Sequence, residues 1–382
     1  MYAFSFCNPT RIEFGAQKEQ RIGEYMKEYG VKKALLVYGS ERIKQSGLYD
    51  TVIGSLKACG IECVALGGIK SNPVLSKVNE GIDLARQSGV DSILSVGGGS
   101  CLDSAKAIAA GAKYDGDVWD FFTGKATIGA ALPIFDIMTL AATGSEMNRG
   151  SVITNEATKQ KYSVQSPFWF PKVSVISPEL QATVSNDYLV YSAADIIAHS
   201  IEAYFTAKIH PEIISMQVES NIKTVIRTTE ILLANPQDHD ARGDFAWAAT
   251  MALNGLTHVG VHAFNFPNHT IEHAMSAVCN VPHGAGLSVV MLAWMTWYKD
   301  QNLPQFERFA REIFGLSDAE AGIAALKAWF DKIGTPTTLA QLNIVGDVLE
   351  EVIDVAAQNA QARGMEKMYN QQTIRDIFAL AK

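Results

Sequence analysis

The chain has 382 residues, 32 basic and 40 acidic, for a formal net charge of −8. This mild acidity, with no run of like charges, argues against nucleic acid or an anionic membrane as a partner. Hydrophobic residues make up 48% of the chain, an ordinary globular composition whose length suits about two domains.

Five cysteines, Cys7, Cys59, Cys63, Cys101 and Cys279, are an odd number without a CxxC pair. They read as free thiols in a reducing compartment. The first residues, MYAFSFCNPTRIEF, lack the basic and apolar regions of a signal peptide. The apolar segment 286-GLSVVMLAWMTWY-298 is too short to span a bilayer and reads as a buried helix. A cytoplasmic location follows as the expectation.

The first half alternates short apolar runs with helical patterns. Strands are expected at 34-ALLVYG-39, 62-ECVALG-67, 91-DSILSVG-97 and 132-LPIFDIMTL-140. Helices are expected at Ile43 to Ala58, Val74 to Gln87 and Ser100 to Ala112, with Gly60 and Gly89 where C-caps belong. Such alternation predicts a parallel sheet with helices on both faces and a ligand beyond the carboxyl ends of the strands.

The loop 97-GGGSCLDSAK-106 follows a strand and opens a helix. Its glycines let backbone approach a pyrophosphate, Ser100 is placed to cap the helix, and the helix N-terminus favours an anion. A tight strand–helix turn accounts for the same residues. In 139-TLAATGSEMN-148, Thr139, Thr143 and Ser145 could line a ribose or phosphate, or form an ordinary loop. A hairpin-like pair follows, 151-SVIT-154 and 161-KYSVQ-165, where Lys161 could reach a phosphate or ribose or simply be solvated. A strand at 173-VSVIS-177 ends this half.

From about Ser185 onward helical patterns dominate: 187–207, 211–234, 242–258, 267–279, 286–299, 304–313, 318–333, 347–362 and 372–381. The expected domains are therefore an α/β unit over 1–184 and an all-helical unit over 185–382. Asp195 and His199 stand four apart on one helix, as do His269 and His273 on a later one. His283 follows in Pro282-His283-Gly284, where a turn could aim the imidazole back at that helix. Three imidazoles and a carboxylate suit Fe²⁺ or Zn²⁺ and leave a position for a substrate oxygen. Buried histidines also serve core hydrogen bonding, and His258 and His262 form a rival pair of the same spacing. Trp119, Phe121, Phe122, Trp169, Phe264 and Phe266 could line an apolar pocket, although aromatics more often fill cores.

Taken together, these motifs resemble the iron-containing (group III) alcohol dehydrogenase family over essentially the whole chain. The resemblance is carried by 8-NPTRIEFG-15, 72-NP-73, 97-GGGSCLDSAK-106, 139-TLAATGSE-146, 195-DIIAHSIEAY-204 and 269-HTIEHAMSAVCNVPHG-284. The last, H-x3-H-x9-H with PHG, is the most specific. The segments 117-DVWDFF-122 and 143-TGSEMN-148 look like the branch of NADP-dependent butanol dehydrogenases and broad-range aldehyde reductases.

The resemblance implies a Rossmann-like dinucleotide-binding domain followed by an all-α metal-binding domain, the dehydroquinate synthase-like architecture. It implies metal ligands at Asp195, His199, His269 and His283, and a proton-handling histidine at His273 that is not a ligand. His258 and His262 match no ligand. It implies cofactor contacts at Gly39, Ser40, Asn72, Gly97, Gly98, Gly99, Ser100, Thr139, Thr143, Asn148 and Lys161, with Asp103 supporting the glycine loop.

In NAD-preferring relatives an acid follows the first strand and binds the ribose 2′-hydroxyl. Here that position is Gly39, in 38-YGSERIK-44. Ser40, Arg42 or Lys44 could serve a 2′-phosphate, so NADP is expected, with NAD possible. Glu41 is a departure that would repel the phosphate if it pointed inward. The implied reaction is hydride transfer between NADP(H) and short- to medium-chain alcohols or aldehydes, in a homodimer. Related polyol dehydrogenases such as glycerol dehydrogenase are the alternative, and a non-redox metal- or nucleotide-binding protein is a more remote one. A 3-dehydroquinate synthase would need basic residues for its acidic substrate, and residues 254–286 contain no Lys or Arg.

Overall fold

In the computed structural model, which describes residues 1–382, the apolar runs of the first half become strands. These are β1 (Arg11–Phe14), β2 (Lys33–Tyr38), β3 (Glu62–Leu66), β4 (Ser92–Gly97), β5 (Ile134–Met138), β6 (Gly150–Asn155), β7 (Gln160–Gln165) and β8 (Val173–Ile176). Six of them form one sheet in the order β1-β8-β5-β4-β2-β3, every neighbouring pair parallel, while β6 and β7 form a separate two-stranded sheet. The β1 strand is absent from the sequence-based expectation. It is short and half-exposed, so its RIEF pattern carries little apolar signal.

Successive strand residues face opposite ways. Leu35, Val37 and Ile93 enter a core shared with Val78 and Ile82 of α3 (Leu75–Ser88) and Leu102, Ala105 and Ile108 of α4 (Gly99–Gly111). Leu36, Leu94, Val96, Phe135 and Ile137 enter the other core, with Ile22 and Tyr25 of α1 (Ile22–Glu28) and Val52 and Leu56 of α2 (Leu48–Ala58). Each aliphatic side chain buried this way contributes about 2 kcal/mol. The single helix expected over Ile43 to Ala58 is two, Arg42–Gln45 and α2, broken at Ser46-Gly47.

From β2 the chain passes to β3 at one edge, and β4 then joins β2 on its other side. The order therefore reverses between β2 and β4, the crevice where open parallel sheets take ligands. Gly39 follows β2 and Gly97 ends β4, so both glycines stand at this switch point.

Buried Asp136 on β5 bears on stability. Ser174 Oγ lies 2.5 Å from Asp136 Oδ1 and 2.6 Å from the Glu146 carbonyl oxygen. A hydroxyl has one hydrogen, so a protonated carboxyl supplies the second. Burial, reinforced by Glu146, accordingly holds the Asp136 pKa well above the usual carboxylate range. The folded state then keeps a proton that the unfolded chain releases near the ordinary value. This contribution is present at low pH and is lost as pH rises toward the raised pKa. Asp136→Asn is expected to melt progressively higher relative to wild type between pH 5 and pH 8. Calorimetry giving a pH-independent difference would contradict this.

The second half is helical: α5 (Asn186–Thr206), α6 (Glu212–Ala234), α7 (His239–Leu253), α8 (Pro267–Cys279), α9 (His283–Tyr298), α10 (Ala319–Ile333), α11 (Asp347–Ala362) and α12 (Gln371–Ala379). Ser185 caps α5 by accepting from the Tyr188 N–H, and Asp238 caps α7 by accepting from that of Ala241. Gly284 to Met295 of α9 are all buried, as the apolar run suggested, and no helix is long and apolar enough to cross a membrane. By contact the chain forms two units, one of Cys7–Ala157 and Tyr162–Thr183, the other of Met1–Phe6, Thr158–Lys161 and Val184–Lys382.

Candidate active site

In the sheet unit, α4 begins at Gly99 with Gly98 as its N-cap, and no side chain caps it. Ser100 lies within the first turn, so the capping role expected for it is not observed: the helix starts one residue earlier than the sequence suggested. Cys101 N–H turns back to the Gly98 carbonyl at 3.0 Å, so the N–H groups of Gly99 and Ser100 that precede it are the feature that suits an anion. The loop after β5 packs over this turn. Thr139 N–H donates to the Gly97 carbonyl at 2.9 Å, and Thr143 Oγ1 accepts from Ser145 N–H at 3.2 Å. A Cβ at Gly99 would lie 2.9 Å from Thr143 Cβ and nearer still to its Oγ1. Gly99→Ala is therefore expected to move the loop and raise the cofactor KM about tenfold or more, as sub-ångström misplacement at a binding loop does. Steady-state kinetics with varied cofactor checks this.

Lys106 holds the same loop from below. Its buried ammonium donates to the carbonyls of Ser145 (2.8 Å), Asn148 (3.1 Å) and Gly150 (2.9 Å), and reaches Ser145 Oγ and Asn148 Oδ1. Burial brings its pKa down to about 8, against the opposing pull of Asp103, Asp136 and Glu146. Asp103 accepts from Ser145 Oγ at 2.7 Å and from Val152 N–H at 2.9 Å, a loop-supporting position. Asn148, expected among the cofactor contacts, spends its amide inside the loop. It accepts from Gly150 N–H at 2.8 Å and donates to the Gly144 carbonyl at 2.9 Å. Asn72 is buried with φ at 53°. Beyond Gly39, Ser40 Oγ accepts weakly from Arg42 N–H, while Glu41 pairs with Lys44 at 2.8 Å and accepts from Tyr38 OH at 3.1 Å.

In the helical unit, α8 is buried on every side from Pro267 to Ser276, although six of those ten residues are polar. Buried polar atoms need partners. Glu202 on α5 serves several: it accepts from Asn268 Nδ2 (3.2 Å), His269 N–H (3.0 Å) and His269 Nδ1 (2.8 Å). Glu272 accepts from Ser276 Oγ at 2.5 Å and contacts His283 Nδ1. Asp195 Oδ1, His199 Nδ1, His269 Nε2 and His273 Nδ1 are left without any hydrogen-bond partner.

Three of these four atoms converge. His199 Nδ1 and His269 Nε2 are each 3.6 Å from Asp195 Oδ1, and His283 Nε2 is 3.7 Å from it. These separations are too long for hydrogen bonds. They match the spacing of about 3.4 Å between tetrahedral ligands whose bonds to one ion are about 2.1 Å. The donor set thus fits a divalent metal. A second group, Glu272, His273 and His283, is also close enough for shared ligation. There, however, Glu272 and His283 already contact one another and the Lys161 ammonium stands 3.8 Å from the carboxylate, which disfavours a cation.

Burial would raise the Asp195 pKa, but His199, His269 and His283 outweigh it and hold the carboxylate ionised. Burial pushes His199 down to about 3. Burial also opposes the charged form of His269, but Asp195 and Glu202 prevail and raise it to about 9. His273 is held well below its ordinary value, chiefly by burial and then by Lys161 and other neighbouring cations.

His283 does not sit in a turn. It is the first residue of α9, whose second, Gly284, lies so close to α5 that a Cβ would be 2.8 Å from Tyr191 Cα and nearer its carbonyl. That close approach brings His283 to Asp195. Neither rival histidine joins the atoms that converge on Asp195: His258, buried near His199, stacks on Phe264 at 5.0 Å, and His262 stacks on Tyr2 at 4.2 Å. Trp119, Phe121, Phe122 and Trp169 fill the sheet core, whereas Phe266 lies 5.7 Å from His269. Lys161 is buried, with its ammonium 3.8 Å from Glu272 and 3.4 Å from His283 Nδ1. Glu202, Glu272 and Lys106 were not singled out from the sequence. The available signal was a charged residue on the buried face of a helix inside a motif.

Residues 9–178 match the model of the iron-containing alcohol dehydrogenase family, and residues 189–382 match that of the C-terminal part of Fe-containing alcohol dehydrogenases. The chain belongs to the iron-containing alcohol dehydrogenase family. It is 38% identical to a probable NADH-dependent butanol dehydrogenase 1 of Bacillus subtilis, over 100% of this chain and 99% of that protein. It is 30% identical to the NADPH-dependent aldehyde reductase YqhD of Escherichia coli, over 92% of each. Among solved structures, NADH-dependent butanol dehydrogenase A of Thermotoga maritima superposes with a TM-score of 0.97 at 44% identity, covering 100% of this chain and 99% of that one. Family membership carries the dehydroquinate synthase-like fold and an NAD(P)-dependent alcohol dehydrogenase activity.

Proposed function

We propose that the chain reduces short- to medium-chain aldehydes to primary alcohols, and runs the reverse reaction, using NAD(P)H and one divalent metal, Fe²⁺ or Zn²⁺. The observation that carries this reading is the convergence of the unpartnered Asp195, His199 and His269 atoms, with His283 Nε2 beside them. These four residues would hold the metal. When bound there, it supplies Lewis-acid polarisation of the substrate oxygen. The nicotinamide supplies or accepts the hydride.

Gly97, Gly98, Gly99 and Ser100 receive the pyrophosphate on the N–H groups that open α4. Gly39, Ser40, Asn72, Thr139 and Thr143 border the remaining dinucleotide, and Asn148 contributes by shaping the loop. His273, neutral and with Nδ1 unpartnered, takes up the hydroxyl proton, directly or through a ribose hydroxyl, and passes it toward solvent in alcohol oxidation, and relays a proton from solvent to the product oxygen in aldehyde reduction. Phe264 and Phe266 offer apolar surface, which favours a simple alkyl chain over a polyol.

The missing carboxylate at Gly39 and the nearby cations favour NADPH. Lys44, one of those cations, is paired with Glu41. Two of the relatives named above are called NADH-dependent. These observations favour NADH as a second reading. Cofactor oxidation with butanal tests both: a kcat/KM ratio above about tenfold, 1.4 kcal/mol of discrimination, assigns the cofactor. No turnover of any short aldehyde by metal-loaded protein would overturn the proposed function, and faster oxidation of glycerol than of butanol would overturn the substrate class. A homodimer is part of the reading, since β1 is a sheet edge with one side unpaired. Light scattering tests it.

A further inference from the structure

Two of the imidazoles that converge on Asp195 are gripped from behind by buried carboxylates, and the two grips differ. Glu202 Oε1 takes both the ring Nδ1 and the backbone N–H of His269, at 2.8 and 3.0 Å, and its Oε2 takes Asn268 Nδ2 at 3.2 Å. One carboxylate thus fixes the ring and the first turn of the helix that carries it. Glu272 contacts His283 Nδ1 and accepts from Ser276 Oγ, but it shares its surroundings with a cation. Lys161 Nζ is 3.8 Å from Glu272 Oε2 and 3.4 Å from His283 Nδ1.

A neutral imidazole carries one ring hydrogen. If His283 Nδ1 donates that hydrogen to Glu272, Nε2 keeps a lone pair facing Asp195. If Nδ1 instead accepts from the Lys161 ammonium, the hydrogen resides on Nε2 and the ring cannot ligate. Resting on the metal reading above, we propose that Glu202 and Glu272 are positioning residues that fix the ligating tautomers of His269 and His283, and that Glu272 does so against competition from Lys161. Glu202 faces no such competitor, because its other contacts are an amide and a backbone N–H.

The inference separates two variants that a general loss of packing would not. Full-length protein is stripped of metal and titrated with Co²⁺, read by its d–d absorption and by chelator competition, with circular dichroism as the check on folding. Glu272→Ala is expected to weaken Co²⁺ binding about 10- to 100-fold and to alter the d–d spectrum, as loss of a carboxylate behind a ligating histidine does. Glu272→Gln, which keeps the side-chain volume and is the variant to rely on should Glu272→Ala fail to fold, falls between wild type and Glu272→Ala. Adding Lys161→Met to Glu272→Ala is expected to recover affinity to within about tenfold of wild type. The same addition to Glu202→Ala recovers nothing.

Co²⁺ affinity and spectrum unchanged in Glu272→Gln would overturn the proposal, as would a Lys161→Met/Glu272→Ala protein binding no tighter than Glu272→Ala. Failure of wild type to bind stoichiometric Co²⁺, or Asp195→Ala binding as tightly as wild type, would instead overturn the metal reading itself.

Discussion

Asp195→Ala is expected to lose its metal and about three orders of magnitude in kcat/KM. The Asp195 oxygen is the point to which the three imidazole nitrogens are nearest in common, at 3.6 to 3.7 Å. It is also the only anion among the four groups. Lewis-acid polarisation of a carbonyl is worth several kcal/mol, and each 1.36 kcal/mol is a factor of ten in rate. The fold should survive, because Asp195 Oδ1 makes no hydrogen bond whose loss would leave a partner stranded. Metal analysis and steady-state kinetics on the folded variant check this. A variant that keeps its metal would show that the ligand assignment is wrong.

Lys106→Met is expected to lower stability by about 3–5 kcal/mol, a melting temperature drop of about 10 °C, and to abolish tight cofactor binding. The ammonium is the common donor to the carbonyls of Ser145, Asn148 and Gly150. Methionine fills a similar volume but leaves these buried acceptors without the donor, at about 1–3 kcal/mol each. Asp103 would lose its neighbouring cation while still holding Ser145 and Val152. Since the loop from Thr139 to Gly150 packs over the glycine turn proposed to hold the pyrophosphate, its loosening is expected to weaken cofactor binding as well as the fold. Thermal melts with and without cofactor check this: wild type should be stabilised by cofactor and the variant should not.

The parts of the molecule that were legible in the sequence are those with strong local signals. Apolar runs such as 34-ALLVYG-39 mark central strands because both faces are buried. Long periodic segments such as 187–207 and 347–362 mark helices to within a residue or two. The Asp195/His199 and His269/His273 spacings placed each pair on one helix face, and the Gly97–Gly99 turn was recognisable as a strand end. Less legible were features set by tertiary contact. β1 is a strand only because β8 lies beside it. His283 starts a helix rather than occupying a turn because Gly284 lets α9 approach Tyr191. Lys161, distant in sequence from α8, meets Glu272 and His283 only once folded. Asn148 looked like a ligand-facing amide, yet the loop it closes uses all its polar atoms. Glu202 and Glu272 sat in plain view inside recognised motifs, but spacing does not distinguish a carboxylate that binds metal from one that holds the histidine that does.

The central claim is that Asp195, His199, His269 and His283 hold a metal that the aldehyde reduction requires. The most direct measurement follows NAD(P)H oxidation with butanal in purified protein before chelation, after chelation and after adding back Fe²⁺ or Zn²⁺. Activity should fall at least about a hundredfold on removal of the metal and return on reloading in wild type but not in Asp195→Ala. Undiminished turnover by protein shown to be metal-free would contradict the account.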